Sequence, residues 1–590
     1  MADAPQLPPA HISDLVVLPG IRRDGTVFDG NQWSDGQWVR FQRGRPRKMG
    51  GYRALNDDLL APVRAVHIDS RGASTTAHTC SPWGVEQLTI DDTGAVVGLA
   101  DRTPGGFSSN KNYAWQTAQM FQSGGGGVPT LIACATPDLA QIQSDTAGPI
   151  YSGDITGSGA LTAVSDGSPI TVSGGICVLQ PFLFVYGSNG LIRNSNPNDI
   201  SAGTGWVTGG ANKAATANVA GTKIVKGLPM RGGGASPAGV FWALDALIRV
   251  TFVGGTTLWN YDTVSTDISI LAKNSVVEFD NAYYWIGTDR FYVYNGVVQE
   301  LPNQLNFNWF YDNLNFAQRQ KIFAVKVPRF GEIWWFFPFG DDTECSAAVI
   351  YNVREKVWYD TRLARTGGSS VKVYQYPLMA ETTELNTVAL SYTPVLGAFK
   401  HGEIVTGGTS GAVGTITKST SSKINLVNVT GTFVNGETIA DAEGDDTGTV
   451  SAAPFFQDLG TLWEHESGTD KVFKQTIEAI DSYIESCNLS WLVGSPTQEA
   501  PEGVNYQVRL SRLEPDFVMS GNMTFTVKGV SYAQGVVVES TPYTFDANTE
   551  FVDPREQRRE LTIKFRSNEV GGAFQLGRVL LTLEPGDERG

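Results

Sequence analysis

The residues from which this chain could build chemistry are few, and their spacing is unhelpful. Its five histidines, His11, His67, His78, His401 and His465, never pair at ligand spacing, so each reads as a lone surface or core imidazole. The cysteines, Cys80, Cys134, Cys177, Cys345 and Cys487, are odd in number and form no CxxC pair. That pattern predicts free, mostly buried thiols, with neither a disulfide framework nor a zinc site. No GxxxxGK[ST], no GxGxxG opening a helix, no HExxH and no GxSxG occurs. Asp441, Glu443, Asp445 and Asp446 cluster, but without the 12-residue loop and terminal Glu of a calcium hand they read as a solvated turn. Asp341 and Asp342 sit in a Gly-Asp-Asp hairpin tip. No cofactor, no metal and no catalytic residue is expected, and the chain is read as not an enzyme.

Two groups remain. Between Arg22 and Arg53 the chain carries eight basic residues against three acidic ones, and Arg43, Arg45 and Arg47 alternate, with Lys48 following. In a strand the three arginines share one face. That face can meet an acidic neighbouring subunit, touch a phosphate backbone, or lie in solvent with Pro46 turning the chain. The second group is aromatic: Tyr283, Tyr284, Trp285, Trp334, Trp335, Phe336, Phe337, Tyr351 and Trp358. Because these lie within strand-like runs, packing between sheets fits them better than a carbohydrate platform. The SDGQW at Ser34 resembles part of a sialidase Asp-box, but it occurs once and outside the repeats, so it reads as chance.

The elements that position these residues are short strands. KIFAVKVPRFGEIWWFFPFGDDTECSAAVIYNVREKVWYD, from Lys321 to Asp360, divides into four apolar runs separated by turn clusters at 328–331, 340–342 and 352–356. The runs are apolar at nearly every position, as in a sheet covered on both faces. A short sheet of this kind, repeated along a long chain, is what a β-propeller blade requires. Comparable groups recur near 63–100, 113–144, 176–194, 222–261 and 276–298, and only Asn313 to Gln320 has the look of a short helix.

The fold expected is therefore all-β. Residues 1–60 form an arm and short strands, 61–393 a β-propeller with a closing strand within 454–470, and 471–590 an antiparallel β-sandwich. Residues 394–453 form an inserted Gly/Thr-rich module with an internal repeat, in which Phe399/Phe433, Gly402/Gly436, Glu403/Glu437 and Gly414/Gly448 are offset by 34 residues. The formal charge of −16 argues against a general nucleic-acid binder. No run is long and apolar enough to span a membrane, and no signal peptide opens the chain, which predicts synthesis in a cytoplasm.

Several stretches resemble one family, the tail nozzle or tail hub (packaged-DNA stabilisation) proteins of short-tailed bacteriophages. They are GQWVRFQRGRPRKMGGYRAL from Gly36, FWALDALIRVTFVGGTTLWNYDT from Phe241, YYWIGTDRFYVYNGVVQELPN from Tyr283, RFGEIWWFFP with IYNVREKVWYDT, and TEFVDPREQRRELTIKFRSNEVGGAFQLGR from Thr549. The resemblance implies a virion-tail ring, usually a hexamer, docked below the portal and adaptor. Needle, spike or fibre proteins would lie around or below it, and double-stranded DNA would be held in the lumen without sequence-specific contact. Acidic loops of one subunit could then meet Arg43, Arg45 and Arg47 of the next. Two other readings are carried alongside: a different tail component such as a baseplate or fibre-bearing adaptor, and a propeller that binds or hydrolyses glycans.

Overall fold

The protein was analysed as a computed structural model describing residues 11–26, 30–122, 127–230, 236–255, 257–490, 506–530, 532 and 535–588. The Pro-rich start of the chain lies outside them.

Strand pairing begins where β-branched and aromatic residues are densest. Phe323–Val327, Glu332–Phe337, Ala347–Asn352 and Val357–Arg362 pair in sequence as an antiparallel meander. Side chains alternate across this sheet, and both faces are buried. Trp334 and Phe336 enter one core while Trp335, Phe337, Tyr351 and Trp358 enter another. Five further sheets follow the same plan, at 65–101, 114–163, 175–218, 224–265 and 277–300. A seventh is assembled from distant parts of the chain. Gly367–Ser369, Leu378–Leu396 and Phe455–His465 pair in that order, and Tyr52–Ala61, from before the first sheet, adds the fourth strand.

These are the seven blades of a closed propeller. The innermost strands pack in cyclic order, with the 3-10 turn Lys273–Ser275 taking part at blade five, and Gly367–Ser369 returns to Ala65–Arg71 of blade one. Apolar cores fill every gap between blades, including blade seven to blade one (Leu59, Val66, Leu88, Leu378, Leu462) and blade four to blade five (Val225, Trp242, Trp285). Drawing the last blade from both sides of the ring is what closes it, and closure buries the inner edges that flat sheets leave open.

Near the axis a charged cluster joins three blades. Asp138 accepts from Lys223 Nζ and from Lys273 Nζ, each at 2.8 Å, and all three side chains are buried. Lys223 also donates to the carbonyls of Ile142 (2.9 Å) and Ser144 (2.7 Å).

Among the described residues the one α-helix is Phe307–Asn313, followed by the 3-10 turn Phe316–Lys321, so the helix expected over 313–320 begins earlier and tightens where it was placed. Asp24 explains the shift, because its carboxylate accepts the N–H groups of Asn308 and Trp309 and so fixes the first turn.

The inserted module continues the long strand Leu378–Leu396 outward and has its own core around Phe399, Phe433, Ile416 and Leu426. Its repeat has a physical content. Glu403 accepts the N–H of Lys400 at 2.7 Å, and Glu437 accepts that of Val434 at 2.6 Å, each three residues back in an equivalent turn.

The C-terminal sheets are not separate from the rest. Asp35–Gln37 pairs with Ser482–Glu485, Arg45–Lys48 with Ala573–Leu576, and His11–Asp14 with Leu580–Glu588, so residues near the N-terminus complete all three sheets of this region. One core runs from Phe525 and Phe565 through Trp38 to Trp334 of blade six, so the sandwich expected over 471–590 shares its core with the propeller. The difference arises because the second face of blade six needs cover, and the hairpin bearing Trp38 supplies it, with the two indole centroids 6.2 Å apart.

Candidate functional site: a basic pocket between propeller and C-terminal sheets

Val39–Gln42 and Arg45–Lys48 form a hairpin whose two turn residues, Arg43 and Gly44, both have positive φ (53° and 72°). This geometry matches the twist of the flanking strands. Arg43 therefore lies at the tip, where its N–H and that of Gly44 bind the Glu355 carboxylate at 3.0 and 3.2 Å. The expected three-arginine strand face is corrected to two. Arg45 and Arg47 share a face, while Lys48 turns to the opposite, buried side. Pro46 does not turn the chain; it sits within the strand opposite Phe41.

Arg40 anchors the hairpin. Its side chain is 1% exposed and is paired with Glu332 (2.9 Å) and Glu466 (2.5 Å). Glu332, on blade six, also accepts from the Tyr359 hydroxyl at 2.6 Å and from Trp334 Nε1 at 2.8 Å. Burial works against the charge on Arg40, but the two glutamates outweigh it and hold the guanidinium firmly protonated. For Glu332 burial is the larger effect, and its pKa lies above the usual carboxylate range despite Arg40. Glu466, in the turn leaving blade seven, has φ +63°, a conformation held by its contacts with Arg40. One buried guanidinium thus ties together the N-terminal hairpin, blade six and the exit from blade seven.

Beside this knot opens a cavity of about 390 Å³, lined by Arg40, Arg47, Lys48, Arg329 and Glu466, with Val518, Met519 and Phe574 on its apolar wall. Arg40 and Arg329 lie over the same Phe330 ring, at 3.6 and 5.2 Å from its centroid. Arg47 is half-buried and bound to Gln42 Oε1 at 3.0 Å. Lys48 is buried and donates to the Gly572 carbonyl at 2.7 Å. Burial lowers its pKa, and Asp470 and Asp481 oppose that only partly. Arg45, outside the cavity, donates to the carbonyl of Gly577 at 2.5 Å. Sequence reasoning singled out Arg47 and Lys48 but missed Arg40 and Arg329. Arg329 sits on the turn of a distant blade, and only the fold reveals that neighbourhood.

The expected packing residues are where packing needs them. Trp335, Tyr351, Trp358 and Phe337 are buried between blades five and six, with the Trp358 ring 4.7 Å from Tyr351 and 5.9 Å from Trp335. Trp285 lies between blades four and five, 5.7 Å from Trp242. All five cysteines are free and buried.

The reading of every histidine as lone is corrected for one pair. Antiparallel pairing sets His67 directly opposite His78, with ring centroids 6.4 Å apart. Burial holds both neutral, His78 at a pKa of about 3, and Gln87 binds His78 at 3.1 Å. His465 accepts from buried Arg365 at 3.0 Å. Among the described residues, the carboxylates able to crowd round a cation are Glu403, Asp441 and Asp446, and Asp441, Glu443 and Asp445. The buried members have structural duties: Asp446 binds the N–H of Ala398 and Lys400 Nζ, and Asp441 accepts the N–H of Asp446.

No family model matches the chain, and no curated protein matches it. Among solved structures it is similar to the RRP9 WD40 repeats, with 8% identity, 56% of this chain and 92% of that chain covered, and a TM-score of 0.33. It is also similar to U3-55K, with 9% identity, 56% and 90% coverage, and a TM-score of 0.32. The propeller assignment rests on the strand pairing and the cores between blades.

Proposed function

We propose that this chain is a non-enzymatic structural component of a phage virion tail, a nozzle or hub ring that retains packaged DNA and passes it during ejection. The observation that carries this reading is how the resembling motifs are used. GQWVRFQRGRPRKMGGYRAL supplies the Arg40 hairpin and the start of the strand that closes the propeller; RFGEIWWFFP supplies the Glu332 partner; and the C-terminal motif supplies Ala573–Leu576, the strand that pairs with the hairpin. These stretches build a rigid body and leave no convergent catalytic group among the described residues. The Asp138 cluster occupies the axial region of the propeller, so a DNA passage would be formed between copies in a ring. The acidic charge of −16 suits a duct along which a polyanion slides without adhering.

Single-particle imaging of the purified chain and of virions tests the proposal. A closed ring with an open lumen, on the tail axis below the adaptor, is the expected result. A monomer at micromolar concentration that retains or cleaves polysaccharide would overturn it.

A further inference from the structure

We propose that the pocket beside Arg40 is a carboxylate-binding site, and that its occupant is an acidic polypeptide segment carrying an apolar residue. Charge comes first. The pocket gathers Arg40, Arg47, Lys48 and Arg329 against a single lining carboxylate, Glu466. Glu466 is consumed by Arg40, as is Glu332 behind it. Neither Arg47 nor Arg329 has a carboxylate partner among the described residues. In a chain with 60 acidic and 44 basic side chains, cations left without carboxylates in one concave place are a marked local reversal.

Shape comes second. A cavity of about 390 Å³ admits a few side chains. A duplex backbone would instead need an extended row of cations, and the molecule as a whole repels it. The wall of Val518, Met519 and Phe574 comes third. Val518 is 77% exposed, so this wall has surface to offer an apolar neighbour of the bound carboxylate. Arg47 and Arg329 present planar guanidinium forks, the geometry that takes a carboxylate through two parallel hydrogen bonds. The site does not depend on the ring: a pocket that binds acidic peptide in a chain that never forms rings leaves this proposal standing and removes only the nozzle reading.

The test is fluorescence anisotropy with a fluorescein-labelled acidic pentapeptide, four glutamates around a central phenylalanine, titrated with the full chain. Saturable binding that weakens with salt is expected. Arg47→Gln with Arg329→Gln should weaken it about tenfold, while the remote, exposed Lys111→Gln should leave it unchanged. Neither Arg47 nor Arg329 supports a buried ion pair, so the double variant should melt within a few degrees of wild type, which separates lost binding from lost fold. Absence of peptide binding, equal binding by the double variant, or preference for a short DNA duplex over the peptide would each overturn the proposal.

Discussion

Lys226 shows how much a single residue's surroundings decide. It sits on Ile224–Pro229, the innermost strand of blade four, half-buried, and its ammonium has no hydrogen bond or ion pair among the described residues. Burial first, and the neighbouring charge of Lys273 second, bring its pKa down to about 8. An unfolded lysine titrates near 10.4. Between these values the unfolded chain binds more protons than the folded one, so this group makes stability rise with pH across that window. Below pH 8 it opposes folding, because the folded state must hold an unpaired ammonium. Lys226→Met should therefore raise the melting temperature at pH 7, and the gain over wild type should shrink towards zero by about pH 10. Parallel melts of the two proteins from pH 6.5 to 10 measure that difference directly. A gain independent of pH would mean that the ammonium is solvated as an ordinary surface lysine.

At the scale of elements, the inserted module tests whether a sheet can continue outward without belonging to the blade beneath it. Leu378–Leu396 and Phe455–His465 pair within blade seven from Leu378↔Glu464 to Glu384↔Leu459, then shift register before continuing into the module. Above that break the apolar residues form a core of their own. The main tie back to the propeller is Lys418, whose Nζ lies 2.6 Å from Glu86 and 2.9 Å from the Asp58 carbonyl. Replacing residues 390–454 by an Asn-Gly turn should leave the propeller folded and lower its melting temperature by less than about 4 °C, read by calorimetry. A larger fall would make the module part of the propeller's cooperative unit.

The module and the blades were legible in the sequence for the same reason. Apolar runs at nearly every position, cut by Gly, Asn and Asp turns, announce doubly covered strands, and the 34-residue offset announces a repeat. The seventh blade was only half legible. Its fourth strand, Tyr52–Ala61, contains Asn56, Asp57 and Asp58, which disrupt an apolar pattern, and its partner lies some four hundred residues away, a distance that no local signal spans. The pocket was less legible still. Arg47 and Lys48 stood out by composition, but whether an arginine is buried like Arg40 or open like Arg329 depends on which glutamates the fold brings to it.

For the whole molecule, the question is what makes propeller and C-terminal sheets one body. The shared core supplies adhesion, and the pairing of Arg40 with Glu332 and Glu466 fixes the alignment, because each fork of the guanidinium is used by a different part of the chain. A buried pair adds little stability over an apolar replacement, but removing one partner strands the other's charge at a cost of about 3–5 kcal/mol. Arg40→Ala leaves Glu332, with no measurable exposure, facing Glu466. Calorimetry of the wild type should show propeller and C-terminal sheets melting together, and the variant should melt earlier, with the C-terminal sheets separating first. The deficit should also depend on pH in a defined direction. The pKa of Glu332 is already raised with Arg40 in place, and losing the arginine raises it further, so acidification towards pH 5 neutralises the stranded carboxylate and returns part of the lost stability. A deficit the same at pH 5 and pH 8 would mean that the stacking of the guanidinium plane on Phe330, and not its pairing with the two glutamates, joins the two halves.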